Sequence, residues 1–178
     1  ALDINHVKDR VYKGQMVDLH KGQDDLSTKT LRTVGDAHER FAEDALRIIR
    51  AIRLSAELGF TIEKKTLEAI ATHKDLLKNI AIERIKDEFN KIVASPEPMK
   101  SIQLAHDVGV LSLIVPELEE GIGVEQNKAH AFDVWEHLLR TCQHAADKDY
   151  PFHVKLSALF HDICKPRSRR WSEESKQW

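Results

Sequence analysis

The sequence predicts a mostly α-helical protein, a helical bundle with a short β remnant at its N-terminus. Two observations support this fold class. From residue 36 onward, apolar residues recur at spacings of three and four, which is the period of a helix that buries one face. Alternation with a period of two, typical of strands, is confined to the first 30 residues.

The N-terminal segment holds the candidate strands, over residues 2–7 and 11–19, separated by a polar turn. This pattern is typical of a hairpin at the edge of a sheet whose other strands would precede the chain. The chain begins at Ala1 rather than at a methionine, and it ends at Trp178 directly after a strongly charged stretch. We therefore expect it to be a piece of a longer protein.

A long amphipathic helix is predicted over residues 37–58. Asp36 can accept a hydrogen bond from an unpaired amide at the start of this helix, and Glu39 stands at the reciprocal position of a capping box. Gly59 followed by the apolar Phe60 is typical of the Schellman motif, in which the glycine adopts a positive φ. These signals predict both ends of the helix.

Further helices are predicted by the same spacing, and proline-containing segments interrupt them. Residues 95–98 hold two prolines, which push the preceding residues out of the helical region, so we expect an internal boundary there. An acidic, glycine-bearing loop is expected after Pro116. The predicted helices span residues 63–72, 81–94, 99–106, 110–115, 132–146 and 152–163.

Charge and composition exclude several classes of protein. The chain has 27 basic and 29 acidic residues, so no general positive field indicates a nucleic-acid partner, and only a local patch could bind one. Hydrophobic residues at 42% exclude a predominantly disordered chain. No apolar run approaches the roughly 20 residues of a membrane helix, so we expect a cytoplasmic protein with no membrane partner. Cys142 and Cys164 are too few for a disulfide framework.

Two charged side chains of the long helix could read a nucleobase. Asp44 and Arg47 lie three residues apart and therefore project from one side of the helix. A carboxylate accepts hydrogen bonds and a guanidinium donates them in a fixed fork, so together they match the donor and acceptor edge of a base. The alternative is a surface ion pair, and the spacing alone favours it because such pairs are common.

A basic line continues along the same helix through Arg47, Arg50 and Arg53, at intervals of three. Such a line turns only slowly around a helix, so it could contact a phosphate backbone. The alternative is a solvated helix face, which the pattern by itself favours.

A histidine and a His-Asp doublet on two predicted helices form a candidate metal site. His137 on one helix and His161 with Asp162 on the other could supply imidazole nitrogens and a carboxylate oxygen to one hydrolytic ion. A complete site needs at least one further ligand. The residues alone therefore favour the alternative, in which these side chains hydrogen-bond to one another and fix two helices.

Five motifs occur along the chain in a characteristic order. They are Leu-Arg-Thr-Val-Gly-Asp at 31–36, Arg-Phe-Ala-Glu-Asp-Ala-Leu-Arg at 40–47, Glu-Leu-Gly-Phe at 57–60, Ile-Glu-Arg-Ile at 82–85 with Glu88 and Lys91, and His-Asp-Ile-Cys-Lys-Pro at 161–166. This order resembles the bacterial tRNA nucleotidyltransferase and poly(A) polymerase family, whose class II members include the CCA-adding enzymes. The resemblance covers nearly the whole chain.

The resemblance implies four parts of the chain. Residues 1–35 would be the remnant of the nucleotidyltransferase head, residues 36–95 a neck that selects the nucleotide and binds RNA, residues 96–129 a body, and residues 130–178 a truncated HD domain. The head, with the carboxylates that bind Mg²⁺, would precede this chain. We therefore expect this piece alone to be inactive in polymerisation.

The resemblance also implies roles for individual residues. In the family, the aspartate and arginine that correspond to Asp44 and Arg47 pair with the Watson-Crick edge of the incoming CTP or ATP. Glu43 is expected to orient them, and Glu83 and Arg84 to brace the neck helices. The implied reaction is CCA addition, in which CMP and AMP units from CTP and ATP are transferred to the 3′ end of tRNA.

Two alternative functions stay open on the sequence. A poly(A) polymerase would have the same fold and accept ATP alone. An HD-domain phosphohydrolase would use a divalent metal at His137, His161 and Asp162, and the helical neck would then be only a scaffold.

Overall fold

The computed structural model describes residues 18–125 and 132–168, and within them the chain is almost entirely helical. Two short strands, β1 (Thr30–Leu31) and β2 (Thr61–Ile62), pair in parallel. A 3₁₀ segment, Lys74–Asn79, follows the fourth helix. The helices are α1 (Gly22–Thr28), α2 (Ala37–Glu43), α3 (Leu46–Leu58), α4 (Lys64–His73), α5 (Ile82–Ala94), α6 (Pro98–Asp107), α7 (Leu111–Ile114), α8 (Pro116–Glu119), α9 (Val134–Asp147), α10 (Phe152–Phe160) and α11 (Lys165–Ser168).

The predicted N-terminal hairpin lies almost wholly outside the described residues. Where the two overlap, the prediction is wrong, because Leu19 is in a turn and helix α1 follows it. The Asp18 carboxylate accepts hydrogen bonds from the backbone amides of Gly22 and Gln23, which begin that helix. These bonds lower the pKa of the Asp18 carboxyl. A polar side chain that satisfies the first amides of a helix favours helix over strand at this point.

The helix predicted over residues 37–58 is interrupted at Asp44. This residue adopts an extended conformation, with φ −149° and ψ 99°, so that α2 ends at Glu43 and α3 begins at Leu46. Asp44 Oδ1 accepts a hydrogen bond from the Leu46 amide at 3.1 Å. Aspartate side chains compete in this way with the helical backbone, which is why the uninterrupted helix was the wrong prediction.

The predicted ends of this segment are confirmed. Asp36 accepts a hydrogen bond from the Glu39 amide at 3.1 Å at the start of α2. At the end of α3, Gly59 has φ 65°, and the Phe60 amide donates to the Ser55 carbonyl at 2.9 Å. This pattern is the Schellman motif.

Helix α3 lies at the centre of the core. It packs against α5 and α6, α6 packs against α9, and α9 packs against α10, which returns to α5. The buried cluster is continuous along this path, from Phe41 through Ile49 and Phe89 to Leu138 and Leu159.

The predicted boundary at residues 95–98 ends a helix, but the core continues across it. Gln143 on α9 donates to the Pro96 carbonyl at 2.9 Å, and the buried ammonium of Lys155 on α10 donates to the Ala94 carbonyl at 3.1 Å. These two bonds tie the C-terminal helices to the end of α5.

Two smaller predictions are corrected. Ile82 fits the apolar spacing of the helix predicted over residues 81–94, but it is the first residue of α5 and is 63% exposed. The acidic segment after residue 115 begins with the short helix α8 rather than a loop. Cys142 and Cys164 are free thiols, as expected, and burial raises the pKa of Cys142 to about 11.

None of the described helices has both the length and the apolar character needed to cross a membrane.

The Schellman glycine gives a first prediction. A Cβ at Gly59 would meet no atom within 4 Å, so Gly59→Ala adds only the strain of a positive φ. We expect this variant to lower the free energy of unfolding by about 1 to 2 kcal/mol, measured by urea denaturation. Gly22→Ala is the matched control, because Gly22 is in a helix and its new Cβ would make ordinary contacts. Equal losses in the two variants would contradict the role of the positive φ.

Candidate functional site

The break between α2 and α3 presents the Asp44 carboxylate at the surface. Its Oδ1 atom accepts the hydrogen bond from the Leu46 amide, which fixes the carboxylate plane. Its Oδ2 atom lies 3.5 Å from Nη2 of Arg84 on α5. The Asp44 side chain is 30% exposed.

Arg47 lies in the first turn of α3 and is held by two acceptors. Its Nη1 atom donates to Glu43 Oε2 at 2.8 Å and to the Arg40 carbonyl at 2.9 Å. Arg40 binds the other oxygen of the same Glu43 carboxylate at 2.8 Å. Glu43 therefore bridges two arginines and directs the guanidinium of Arg47, which stays 40% exposed.

A cavity of about 280 Å³ opens beside this guanidinium. Arg47 and Arg50 line it together with the apolar side chains of Phe41 and Leu54. A second, shallower cavity of about 320 Å³ is lined by Arg40 and Arg47 with Thr33 and Val34. Arg47 therefore faces two concave surfaces, where a planar ligand could contact an apolar wall and a guanidinium at once.

Glu88 on α5, which belongs with Lys91 to the motif that begins at Ile82, organises the neighbouring surface, a role that the sequence reasoning did not assign to it. Its carboxylate is buried between α3 and α5 and accepts hydrogen bonds from Arg53 at 2.7 Å and Lys91 at 3.0 Å. Arg50 lies 3.9 Å away. The available signal was a charged residue within the apolar spacing of α5, one position before the buried Phe89.

The charge state of Glu88 follows from these contacts. Burial on its own would raise the pKa of the Glu88 carboxyl, but the hydrogen bonds from Lys91 and Arg53 outweigh it and the pKa lies below its ordinary value of 4.5. A lowered pKa means that the carboxylate stabilises the fold above pH 4.5. This contribution is lost as the pH falls through the lowered pKa.

The basic line on α3 divides into exposed and buried members. The Arg50 side chain is 53% exposed, whereas that of Arg53 is only 13% exposed and is bound by Glu57 and Glu88. The exposure expected of Arg53 as a phosphate ligand is therefore not found. Its guanidinium connects α3 to α5 instead.

The residues of the candidate metal site come together. Nε2 of His137 on α9 lies 3.1 Å from Nε2 of His161 and 3.6 Å from Oδ2 of Asp162, and the last two atoms are 3.2 Å apart. His161 Nδ1 contacts the Ala158 carbonyl at 2.9 Å, which orients the ring. Lys165 donates to Asp162 Oδ2 at 2.6 Å.

The Asp162 carboxylate stays ionised in this cluster. Burial on its own would raise the pKa of Asp162, but the Lys165 hydrogen bond and the neighbouring imidazoles lower it. Within the described residues, this is the one group of three or more His, Cys, Asp or Glu side chains whose ligand atoms lie within 4.8 Å of one another.

Comparison with known proteins gives the family. The family model described as the probable RNA and SrmB-binding site of polymerase A matches residues 59–122. The chain is 34% identical over 172 residues to a CC-adding tRNA nucleotidyltransferase of Thermus thermophilus, and 48% identical over 95 residues to a CCA-adding enzyme of Oceanobacillus iheyensis. These alignments cover 92% and 53% of this chain.

The chain belongs to the tRNA nucleotidyltransferase family. Its fold agrees with the crystal structure of the Bacillus stearothermophilus CCA-adding enzyme in complex with CTP, with a TM-score of 0.57 and 27% identity. That alignment covers 89% of this chain and 44% of the other. The chain spans 39% and 24% of the length of the two nucleotidyltransferase relatives.

The exposed Arg50 and the buried Arg53 differ in their expected effect on stability. Arg53→Ala leaves the buried Glu88 without its closest partner, so we expect the free energy of unfolding to fall by about 3 kcal/mol. Arg50→Ala removes a long, exposed contact, and we expect a loss below about 1 kcal/mol. Urea denaturation of both variants measures the difference, and similar losses would show that Arg53 does not connect the helices.

Proposed function

We propose that this chain supplies base selection and RNA binding to a tRNA nucleotidyltransferase that adds CMP and AMP units from CTP and ATP to the 3′ end of tRNA. The observation that carries the proposal is the exposed guanidinium of Arg47 beside an apolar-walled cavity, with the partly exposed carboxylate of Asp44 three residues earlier in the chain. The family membership and the names of the relatives agree with it. Such a protein acts in the cytoplasm, where its tRNA substrate is found.

The chemistry of these two groups favours cytosine and adenine. Both bases carry an exocyclic amino group, a donor, next to a ring nitrogen that accepts. Guanine and uracil present a carbonyl oxygen and a ring N–H at those places. A carboxylate accepts only and a guanidinium donates only. Asp44 and Arg47 therefore complement cytosine and adenine and oppose guanine and uracil.

The neighbouring residues prepare this pair in different ways. The Leu46 amide occupies Oδ1 of Asp44, so a base would bind at Oδ2 and compete there with the Arg84 guanidinium, 3.5 Å away. Glu43 holds Nη1 of Arg47, which restricts the rotation of a long side chain before the base arrives. A preorganised donor and acceptor lose less conformational entropy on binding, which strengthens the discrimination.

The remaining parts of the proposal concern regions and cofactors. Residues 36–95 act as the neck, 96–129 as the body, and 130–178 as an HD segment, while residues 1–35 continue a catalytic head. Arg50 contributes to RNA binding from the neck. Mg²⁺ for the transfer step would be held by carboxylates of the head, and the residues described here serve to bind and select.

Removing the guanidinium tests base selection. In a full-length nucleotidyltransferase carrying this chain, we expect Arg47→Ala to lower the preference for CTP and ATP over GTP and UTP by about 10- to 100-fold, because a bidentate contact contributes about 1 to 3 kcal/mol of discrimination. The measurement is the incorporation of each nucleotide into tRNA lacking its CCA end. Use of ATP alone would instead indicate a poly(A) polymerase.

The matched control is Arg140→Ala. Arg140 is an exposed arginine paired with a glutamate four residues away on its own helix, as Arg47 is, but it lies on α9. We expect it to leave the nucleotide preference unchanged. If Arg47→Ala keeps full discrimination, the proposed role of the pair is wrong.

A second candidate function is a metal-dependent phosphohydrolase activity in the HD segment, favoured by the convergence of His137, His161 and Asp162. Their ligand atoms lie 3.1 to 3.6 Å apart, which suits one ion bound at roughly 2.0 to 2.2 Å from each. The donor set suits a divalent transition metal. Such an ion would polarise a phosphoryl oxygen, and Lys165 competes with it for the Asp162 oxygen.

Metal addition tests this site. We expect Mn²⁺ or Zn²⁺ to raise the melting temperature of the chain, because binding to the native state at 100 times the Kd contributes about 2.7 kcal/mol. His161→Ala should abolish the shift in melting temperature. His153 is an exposed histidine on α10, and His153→Ala should leave the shift unchanged. An equal shift in both variants would show nonspecific binding and contradict the site. Hydrolysis of bis(p-nitrophenyl) phosphate then measures the activity.

A further inference from the structure

Two histidines that the proposed function leaves unused meet between α2 and α4. Nδ1 of His38 lies 3.1 Å from Nε2 of His73, although the two residues are 35 positions apart in the chain. The ring centroids are 5.2 Å apart and the ring planes are inclined at 66°, so the rings approach through their edges rather than as a stack. His38 is exposed and His73 is half-buried, so the solvent reaches both rings.

This pair closely matches the two histidines of the His137, His161 and Asp162 cluster. In that cluster the two Nε2 atoms are also 3.1 Å apart, the ring centroids are 5.1 Å apart and the ring planes are inclined at 64°. The same arrangement of two imidazoles therefore occurs twice, in two separate parts of the fold.

The separation of the two nitrogens suits one metal ion. At metal–nitrogen distances of about 2.0 to 2.1 Å, two ligand nitrogens are about 3.3 Å apart in a tetrahedral site and about 2.9 Å apart when they bind at a right angle. The 3.1 Å between His38 and His73 lies between these values. Small rotations of the two side chains direct both lone pairs at one ion, and the exposure of His38 leaves room for them.

The protonation pattern that an ion needs costs no other hydrogen bond. Each ring must carry its proton on the nitrogen away from the ion, which is Nε2 in His38 and Nδ1 in His73. Within residues 18–125 and 132–168, no hydrogen bond constrains either of these outer nitrogens. The tautomers that present both lone pairs to an ion are therefore open to the pair.

A cavity beside His38 gives an ion access and leaves space for its remaining ligands. The volume of the cavity is about 410 Å³, and acidic side chains outnumber basic ones among the residues that line it. An acidic surround raises the local concentration of divalent cations. The charged lining residues are Asp36, Glu63 and Glu68 against Arg32 and Lys65.

The two imidazoles also determine which ions bind. Imidazole nitrogens suit Ni²⁺, Cu²⁺ and Zn²⁺, whereas Mg²⁺ and Ca²⁺ prefer oxygen ligands. Among the described residues, only His137, His161 and Asp162 bring three His, Cys, Asp or Glu ligand atoms within 4.8 Å of one another. At His38 and His73, water or a small ligand in the cavity would therefore complete the coordination.

We propose that His38 and His73 form a site for a divalent transition-metal ion that joins α2 to α4. The proposal goes beyond the proposed function and does not depend on it. A bound ion stabilises the packing of α2 against α4, and α2 ends at Glu43, the residue that directs Arg47.

The test uses the 178-residue chain with His161→Ala, a substitution that removes a ligand from the other candidate metal site. Calorimetry with Ni²⁺ gives the Kd. At about ten times the Kd, we expect Ni²⁺ to raise the melting temperature by about 3 to 6 °C. His38→Ala and His73→Ala should each abolish this rise, because one imidazole alone binds the ion far more weakly.

The matched control is His153→Ala, which removes an exposed histidine from α10 and should leave the rise unchanged. Each variant is compared with itself in the absence of metal, so that the loss of the bond between the two rings does not enter the shift. Paramagnetic Ni²⁺ should also broaden the NMR signals of the His38 and His73 rings before those of the His153 ring.

Three results would overturn the site. The first is persistence of the rise in either His38→Ala or His73→Ala, and the second is an equal rise with Mg²⁺. The third is the absence of Ni²⁺ binding to the chain that carries His161→Ala, which would leave His38 and His73 as a hydrogen-bonded pair between two helices.

Discussion

The hydrogen bond from the Leu46 amide to the Asp44 carboxylate is the interaction on which the rest of the candidate site depends. It ends one helix and begins the next, so that α2 packs against α4 while α3 enters the core between α5 and α6. The same bond fixes the carboxylate and places Arg47 in the first turn of the new helix. An uninterrupted helix would carry both side chains in the same order but would not place them on either side of a corner, with Arg47 beside two cavities.

A buried ion pair holds this corner against α5. Burying Glu88 and Arg53 costs solvation free energy, which the mutual contact and the further bonds to Lys91 and Glu57 offset. Such a pair adds little net stability relative to apolar residues, but it is satisfied only when α3 and α5 adopt one relative position. The geometry of the exposed cations therefore depends on a contact that is itself inaccessible.

The C-terminal helices belong to the same packed structure. Lys155 and Gln143 bond to backbone carbonyls at the end of α5 and in the segment that follows it, and the core continues from α6 into α9. The His137, His161 and Asp162 cluster is thus attached to α3 and α5 through packed helices. Its position relative to Asp44 and Arg47 is set by side-chain packing within one core.

The sequence by itself determined the helical class, the cap at Asp36, the Schellman end at Gly59 and the family, because these depend on local periodicity and on short-range backbone bonds. It also places Asp44 and Arg47 three positions apart in the chain. Only the tertiary structure decided that the helix breaks at Asp44, that Arg53 is buried while Arg50 is exposed, and that Glu88 joins two helices. The physical reason is that burial and charge pairing depend on neighbours distant in the chain, here 35 residues apart for Arg53 and Glu88, which no local pattern records.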